Sequence, residues 1–499
     1  MVDHRIPPED EQITPFAWGR VGTVTAVMGV VHLAVAGRYG WHRDEFYYLA
    51  AGRHLAWGYV DQPPLTPVLA RLAGALPGGV WPLRMVAIAA QLGCIVLGAA
   101  LARELGGARR AQFLAALVLA ACPIFVGASL LLGTTGIDQL FWAATFVAVA
   151  RALRRGDLGA WVVAGIVAGV GLENKHSLAM LLIGVIVGLA VTRRAELQRP
   201  GPWVMGIVAG LLWLPNLAWN ATNDWPALKM ASSISDDQGG FVGSLAQAPL
   251  FVLLVGPLLI PVWAAGLRWL LRPEHRRHAW LIVVLVVALV LTVAGGGKPY
   301  YPAPALIGLL VAGAVAIEAL LDDARPLWRS GWSRLLGLSV VSSLIIGLPI
   351  LGPSFATAIR PINQEPMETY GWRGFAEQVA AAGRGMPAGT VVLTGNYGEA
   401  GALEMFGPEA GLTFPVTSAH NSWATWGMPR AGTPESVLAV SLGGADRLRS
   451  AWRHVEPVGR ITLPDGLVDR ETDGDATIYR CTDPRGTWRE LWPRLTHIG

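Results

Sequence analysis

Charge is what this sequence has least of. Only 15% of its 499 residues are Asp, Glu, Lys or Arg, against about 25% in soluble domains. That excludes a chain made only of water-borne domains and points to lipid as the solvent for much of its surface. Cysteine is scarce too. Cys94, Cys122 and Cys481 form no CxxC pair, so neither a disulfide framework nor a zinc site is implied. HExxH and GxGxxG are absent, which removes those zinc and dinucleotide signatures. Lysine is the third scarcity: of 39 basic residues only Lys175, Lys229 and Lys298 are lysines, leaving 36 arginines. Either chance has left these three, or a compact ammonium is wanted there. The pI of 9.1 does not point to nucleic acid, because the basic residues fall in short clusters between apolar runs rather than in one footprint.

Apolar runs are what the chain has in quantity, 53% of it being hydrophobic. About 20 apolar residues cross a bilayer as a helix. Runs at 21–37, 82–102, 111–131, 137–153, 158–172, 176–191, 203–219, 247–271, 279–295, 303–321 and 335–352 therefore predict a polytopic α-helical membrane protein of about eleven spans. The first run ends in an Ala-x-Ala pattern, Ala34 and Ala36, like a signal-peptidase site. Its flank is weakly basic and Asp44-Glu45 follow at once, so it reads as an uncleaved anchor. Arginine sets the orientation. Clusters such as Arg103, Arg109 and Arg110, Arg151, Arg154 and Arg155, and Arg325, Arg329 and Arg334 share one side. This predicts a cell-membrane protein with residues 1–20 as a cytoplasmic tail, a transmembrane domain over 21–352, and residues 353–499 outside. The outer segment reads as a soluble α/β domain: GWRGFAEQVAAAG and EAGALEMFG as helices, TVVLTG and SVLAVSL as strands, VGRITLP and ATIYRC as further strands.

All three lysines, and Asp44, Glu45, Asp61, Asp138 and Glu173, then fall on the outer side. The stretch WHRDEFYYLA, 41–50, opens the first outer loop, 38–80, just where a span ends. In that loop FYYLAAGRHLAW and LTPVLARLAGAL read as surface helices, separated by an extended break at Pro63-Pro64. Asp44 and Glu45 could be solvated acids. Tyr47, Tyr48 and Trp57 would fix their depth, however, and Asp138, Lys175, His176 and Lys298 recur at the same depth. Ionisable groups held there default to function. Tyr301, beside Tyr300, reads as an interface-belt residue or a ligand. In the outer domain, NYGEAGAL with Glu399, and HNSWATWG with His420, Asn421, Trp423 and Trp426, suit sugar binding or domain packing.

DEFYYLAAGRHLAWGYVDQPPL, 44–65, GIDQLFW, 136–142, GLENKHS, 171–177, and GGGKPYYPAPA, 295–305, together resemble the GT-C membrane glycosyltransferases of family 39. These include protein O-mannosyltransferases and lipid A aminoarabinose transferases. The resemblance runs to about residue 321. It implies a polyprenyl-phosphate sugar donor and an envelope glycan, glycolipid or protein as acceptor. Asp44 would be the general base and Glu45 would orient it or bind substrate. Lys175, Lys298 and Arg53 would hold the leaving phosphate. Tyr47, Tyr48, Asp61, Gln62 and His176 would contact substrate. Gln62 stands where some relatives carry lysine. One displacement inverts the anomeric centre; a retaining course would use Asp138 as nucleophile. A divalent metal, Mg, Mn or Zn, on Asp44, Asp138 and His176 is a further expectation. Three other readings remain: a transporter or flippase for a lipid-linked sugar, a non-catalytic glycan-binding subunit, and an enzyme acting on phospholipid headgroups. The polar groups gather at one face and no internal repeat is visible, which favours a one-sided enzyme.

Overall fold

The computed structural model describes residues 13–322, 326–429, 432, 435–440, 444–474 and 476–499. Most of the expected cytoplasmic tail, residues 1–12, and Arg325 lie outside the described residues. Each of the eleven expected runs is helical over most of its length. By length and composition, five described helices are able to cross a membrane: Trp18–Val35, Trp81–Glu104, Thr134–Arg155, Gly201–Thr222 and Ala303–Leu321. A sixth forms if Ala248–Val255 and Pro257–Leu270, bent by 76° against each other, make one span. Leu158–Leu172, Leu178–Thr192 and Trp280–Ala294 have 15 residues each. At 1.5 Å per residue they reach about 22 Å, short of a ~30 Å hydrocarbon core.

Two devices shape the bundle. Gly165 and Gly169, four apart, let Leu158–Leu172 lie directly on Gly201–Thr222. A Cβ on Gly165 would stand 2.8 Å from the Met205 carbonyl oxygen, and one on Gly169 would stand 2.7 Å from Leu212 Cβ. Breaks do the rest. The run 111–131 is two helices, Arg109–Ala120 and Pro123–Gly127, divided at Cys122. The bent pair turns at Gly256, whose φ of +102° suits only glycine. The carbonyl freed at Ala121 accepts from Ser339 Oγ at 3.0 Å and Ser343 Oγ at 2.7 Å, which satisfies it where water cannot.

The first outer loop carries the two expected helices, Arg43–Arg53 and Leu65–Gly74. The first begins at a capping box: His42 Nδ1 accepts from the Asp44 N–H at 3.1 Å, and Glu45 Oε2 accepts from the His42 N–H at 2.8 Å. The proline pair is not extended throughout as expected. Pro64, at φ −78° and ψ −17°, already has the backbone of the helix that follows.

The C-terminal domain is built on a five-stranded mixed sheet: β1 Val391–Thr394, β2 Val416–Ser418, β3 Ser436–Val440, β4 Trp452–Arg460 and β5 Thr477–Pro484, in the order β2-β1-β3-β5-β4. β1 runs parallel to β2 and β3, and β5 antiparallel to β3 and β4. Side chains alternate. Val392, Leu438, Val440 and Ile478 pack under helices Trp372–Ala382 and Tyr397–Phe406, while Leu393, Val437, Ala439 and Cys481 pack under Trp488–Leu495. The expected strand VGRITLP starts earlier, at Trp452, and stops at Arg460; β2 and helix Trp488–Leu495 were not foreseen. Phe46 of the first outer loop is 2% exposed within the sheet domain's own core, a burial worth about 1.5–3 kcal/mol. The loop is therefore the shared floor of both domains.

Candidate active site

Asp44 lies in the first turn of helix Arg43–Arg53, at the head of a cavity of 290 Å³. Polar groups line that end: Tyr48, Thr135, Tyr300 and Glu365. The far wall is hydrocarbon and comes from the two helix breaks, with Pro123 and Ile124 from one and Leu253, Leu254 and Leu258 from the other. The Tyr397 hydroxyl, from the sheet domain, donates to Asp44 Oδ1 at 2.9 Å. Burial works against ionisation of Asp44. The fields of His42 and Arg43 and the Tyr397 hydrogen bond outweigh it and hold the carboxyl below its ordinary value. Asp44 is thus an ionised carboxylate across the neutral range, and only one of its oxygens is engaged by Tyr397.

Glu45, its neighbour, points elsewhere. Its carboxylate takes Arg84 Nε at 3.2 Å and Nη2 at 3.1 Å, and both side chains are fully buried. Arg84 also donates to the carbonyls of Ala36 and Gly40. The pair locks the loop onto helix Trp81–Glu104, so Glu45 does not line the cavity.

Lys175 sits in the turn between Leu158–Leu172 and Leu178–Thr192. Its Nζ donates to Thr135 Oγ1 at 3.1 Å and stands 5.4 Å over the Tyr300 ring and 5.3 Å over the Tyr301 ring. Burial lowers its pKa, countered by Asp138. Lys298 has no hydrogen-bond or ion-pair partner among the described residues; the charges that act on it include Arg470, Asp44 and Glu365. Two of the three lysines are therefore drawn to the polar end of the cavity. Arg53 is not: it pairs with Glu404 on the outer edge.

The remaining candidates are used within the protein. Asp138 is buried, and its Oδ2 accepts from Ser177 Oγ at 2.8 Å. His176 Nε2 is 2.9 Å from Asn216 Oδ1. Among the described residues no group of three or more His, Cys, Asp or Glu side chains could hold a metal. Asp44, Asp138 and His176 thus do not converge on one, and the expected divalent-ion site has no matching donor set. Glu399 caps helix Tyr397–Phe406, accepting from the Gly395 and Asn396 amides. Tyr47 donates to Asp61 Oδ1 at 2.7 Å and stacks on Tyr397 at 4.4 Å; burial pushes the Asp61 carboxyl up to about 6. Gln62 is buried, its amide nitrogen without a partner among the described residues. Trp426 stacks on His54 at 4.9 Å, Trp423 is buried, and Asn421 Nδ2 reaches Asp61 Oδ2 at 3.4 Å. His420 stacks between Tyr397 and His497. HNSWATWG thus clamps the sheet domain to the first loop, the packing alternative raised above.

Residues 61–219 match the family model described as dolichyl-phosphate-mannose-protein mannosyltransferase. No curated protein matches the chain. Among solved structures it is similar to ArnT from Cupriavidus metallidurans bound to undecaprenyl phosphate, at 15% identity and TM-score 0.60, over 93% of this chain and 98% of that one. It is also similar to the archaeal oligosaccharyltransferase AglB from Archaeoglobus fulgidus in complex with an inhibitory peptide and a dolichol-phosphate, at 12% identity and TM-score 0.51, over 86% and 70%. The chain has the GT-C fold. This bears out the GT-C resemblance read from the sequence; the matched stretch includes GIDQLFW and GLENKHS but only the last five residues, DQPPL, of the first motif. A GT-C chain with these apolar helices is a multi-pass membrane protein.

Sequence reading missed Tyr397, Glu365, Thr135 and Arg84. Two of them left a signal: Tyr397 stands inside NYGEAGAL, and Arg84, an arginine three residues inside the apolar helix WPLRMVAIAA, requires a buried partner.

Proposed function

We propose that this protein transfers a sugar from a polyprenyl-phosphate donor to an envelope glycan, glycolipid or protein at the extracytoplasmic face. The observation that carries the reading is a carboxylate held ionised at the polar end of a cavity whose far end is hydrocarbon. That is the shape and polarity of an amphiphile with a phosphate head. The undecaprenyl phosphate bound to ArnT and the dolichol-phosphate bound to AglB are ligands of that kind.

The acceptor hydroxyl gives its proton to Asp44 as its oxygen bonds to the anomeric carbon. The bond from that carbon to the phosphate oxygen breaks on the opposite side, and the phosphate leaves with the electron pair. Lys175 and Lys298 stabilise its charge. Phosphate is a good leaving group, so no general acid is required. Tyr397 holds Asp44 through Oδ1 and keeps its pKa low. The second carboxylate on the cavity wall, Glu365, is paired with His42 Nε2 at 3.0 Å, and Asp138 is turned to Ser177. This supports direct displacement with inversion over a double displacement.

Wild type and Asp44→Asn, matched for folding in detergent, should be followed for release of polyprenyl phosphate from a panel of polyprenyl-phosphate sugars with envelope extract as acceptor. Loss of at least about a hundredfold in kcat is expected. Undiminished turnover in the variant would move the base elsewhere. No turnover from any donor, with retained lipid or glycan binding, would favour a flippase or an accessory subunit.

A further inference from the structure

A second cavity, of 990 Å³, lies at the opposite end of the bundle. Helix Trp81–Glu104 connects the two ends. Arg84 holds Glu45 near Asp44, and Glu104, 20 residues on, lines this second cavity, about 30 Å away along the axis.

Five arginines line it, Arg103, Arg154, Arg268, Arg272 and Arg277, against two glutamates. Both glutamates are already saturated. Glu104 takes Arg151 at 3.1 Å and Arg154 at 2.8 Å. Glu318 accepts from the Ala108 and Ala111 amides, each at 2.8 Å. Arg268 has no hydrogen-bond or ion-pair partner among the described residues, and the ion pair of Arg272 with Glu274 is long, at 3.9 Å. Arg268 stands in the last turn of helix Ile260–Leu270 and Arg272 in the extended residue just past its end, and both line this cavity. Arg268 thus brings a positive charge to this pocket with no counter-ion among the described residues, and Arg272 one that is only loosely paired. The wall is also partly hydrocarbon, with Leu105, Val315 and Leu320. Leu267 and Leu271, beside the two arginines, are 43% and 66% exposed.

We propose that this cavity binds the phosphodiester headgroup of an anionic bilayer lipid, through Arg268 and Arg272, with the lipid's chains along Leu267 and Leu271. A free anion would gain nothing from the apolar wall. A lipid uses both, and a basic pocket at helix ends is the arrangement that takes lipid phosphate.

The test is native mass spectrometry of the full chain in neutral detergent, titrated with phosphatidylglycerol or phosphatidylcholine. Wild type should retain phosphatidylglycerol preferentially. Arg268→Gln/Arg272→Gln should weaken that binding about thirtyfold, from roughly fivefold per arginine. Arg155→Gln/Arg276→Gln, which removes two exposed arginines outside the cavity, should leave it unchanged. Ala319→Trp keeps every charge but narrows the cavity, and should also weaken retention. Equal binding of both lipids, or equal loss in the two double variants, would overturn the proposal. So would full displacement by millimolar inorganic phosphate, which would make the occupant a free anion. An intact melting transition for each variant separates loss of binding from loss of fold.

Discussion

The two ends of the bundle handle charge in opposite ways. At the outer end the buried arginines are used up: Arg84 is spent on Glu45, and Arg43 pairs with Glu471 at 3.2 Å and Glu368 at 3.6 Å. What is left over is a carboxylate, Asp44, and beside it the ammonium of Lys298. At the other end the glutamates are used up and arginines are left over. Binding and chemistry follow from the surplus, because a saturated ion pair has nothing left to offer a ligand. Acids clustered along a sequence therefore do not all mean the same thing. Asp44 and Glu45 are adjacent, yet one faces an open cavity and the other a buried guanidinium.

Substitution of that adjacent pair separates their roles most sharply. Asp44→Asn should remove two to four orders of magnitude of kcat while the melting transition stays in place. Glu45→Gln should do the reverse. It leaves Arg84 charged and buried without its counter-ion, a loss of about 3–5 kcal/mol seen as a large drop in melting temperature, with residual folded protein still turning over. If Glu45→Gln folds normally but is inactive, the division between the two acids fails. Tyr397→Phe is a milder probe. It removes one hydrogen bond to a charged group, worth about 1.5–3 kcal/mol. It should lower kcat by about tenfold and move the acid limb of the pH–rate profile upward, because Asp44 loses a group that favours its ionised form. Unchanged kcat and pH profile would show that the sheet domain does not act on the base. Arg470→Gln should have the smallest effect. Arg470 is exposed and acts on Asp44 only through its field. Its removal should raise the acid limb slightly in low salt, and about 0.15 M salt should shrink the difference by screening. A shift of that limb to lower pH would contradict the sign.

Much of this was legible in the sequence. The apolar runs gave the helices, and WHRDEFYYLA with the downstream lysines located the polar end of the bundle, since burying such residues without a purpose is costly in any membrane protein. What was not legible is which partner each residue finds. Glu399 looked like a ligand contact but sits three residues after Asn396, where a helix start consumes both side chains in a capping box. Trp423 and Trp426 suited either a sugar platform or domain packing, and they pack against the first loop, Trp426 on His54 and Trp423 in the cluster with Tyr47 and Tyr48. His176 and Asp138 were separated by single bonds to Asn216 and Ser177, and no spacing rule reports such bonds. The bend at Gly256, which builds half the hydrocarbon wall, was hidden inside a run that read as one continuous span.

The hydrogen bond from Tyr397 to Asp44 joins residues 353 positions apart. At 5–20 residues per second of synthesis, Asp44 is made roughly twenty to seventy seconds before Tyr397. A growing chain already threaded into its bilayer thus carries an unfinished base until its last quarter is made and folded. On the proposed function, the order of translation itself delays full turnover until the sheet domain is in place.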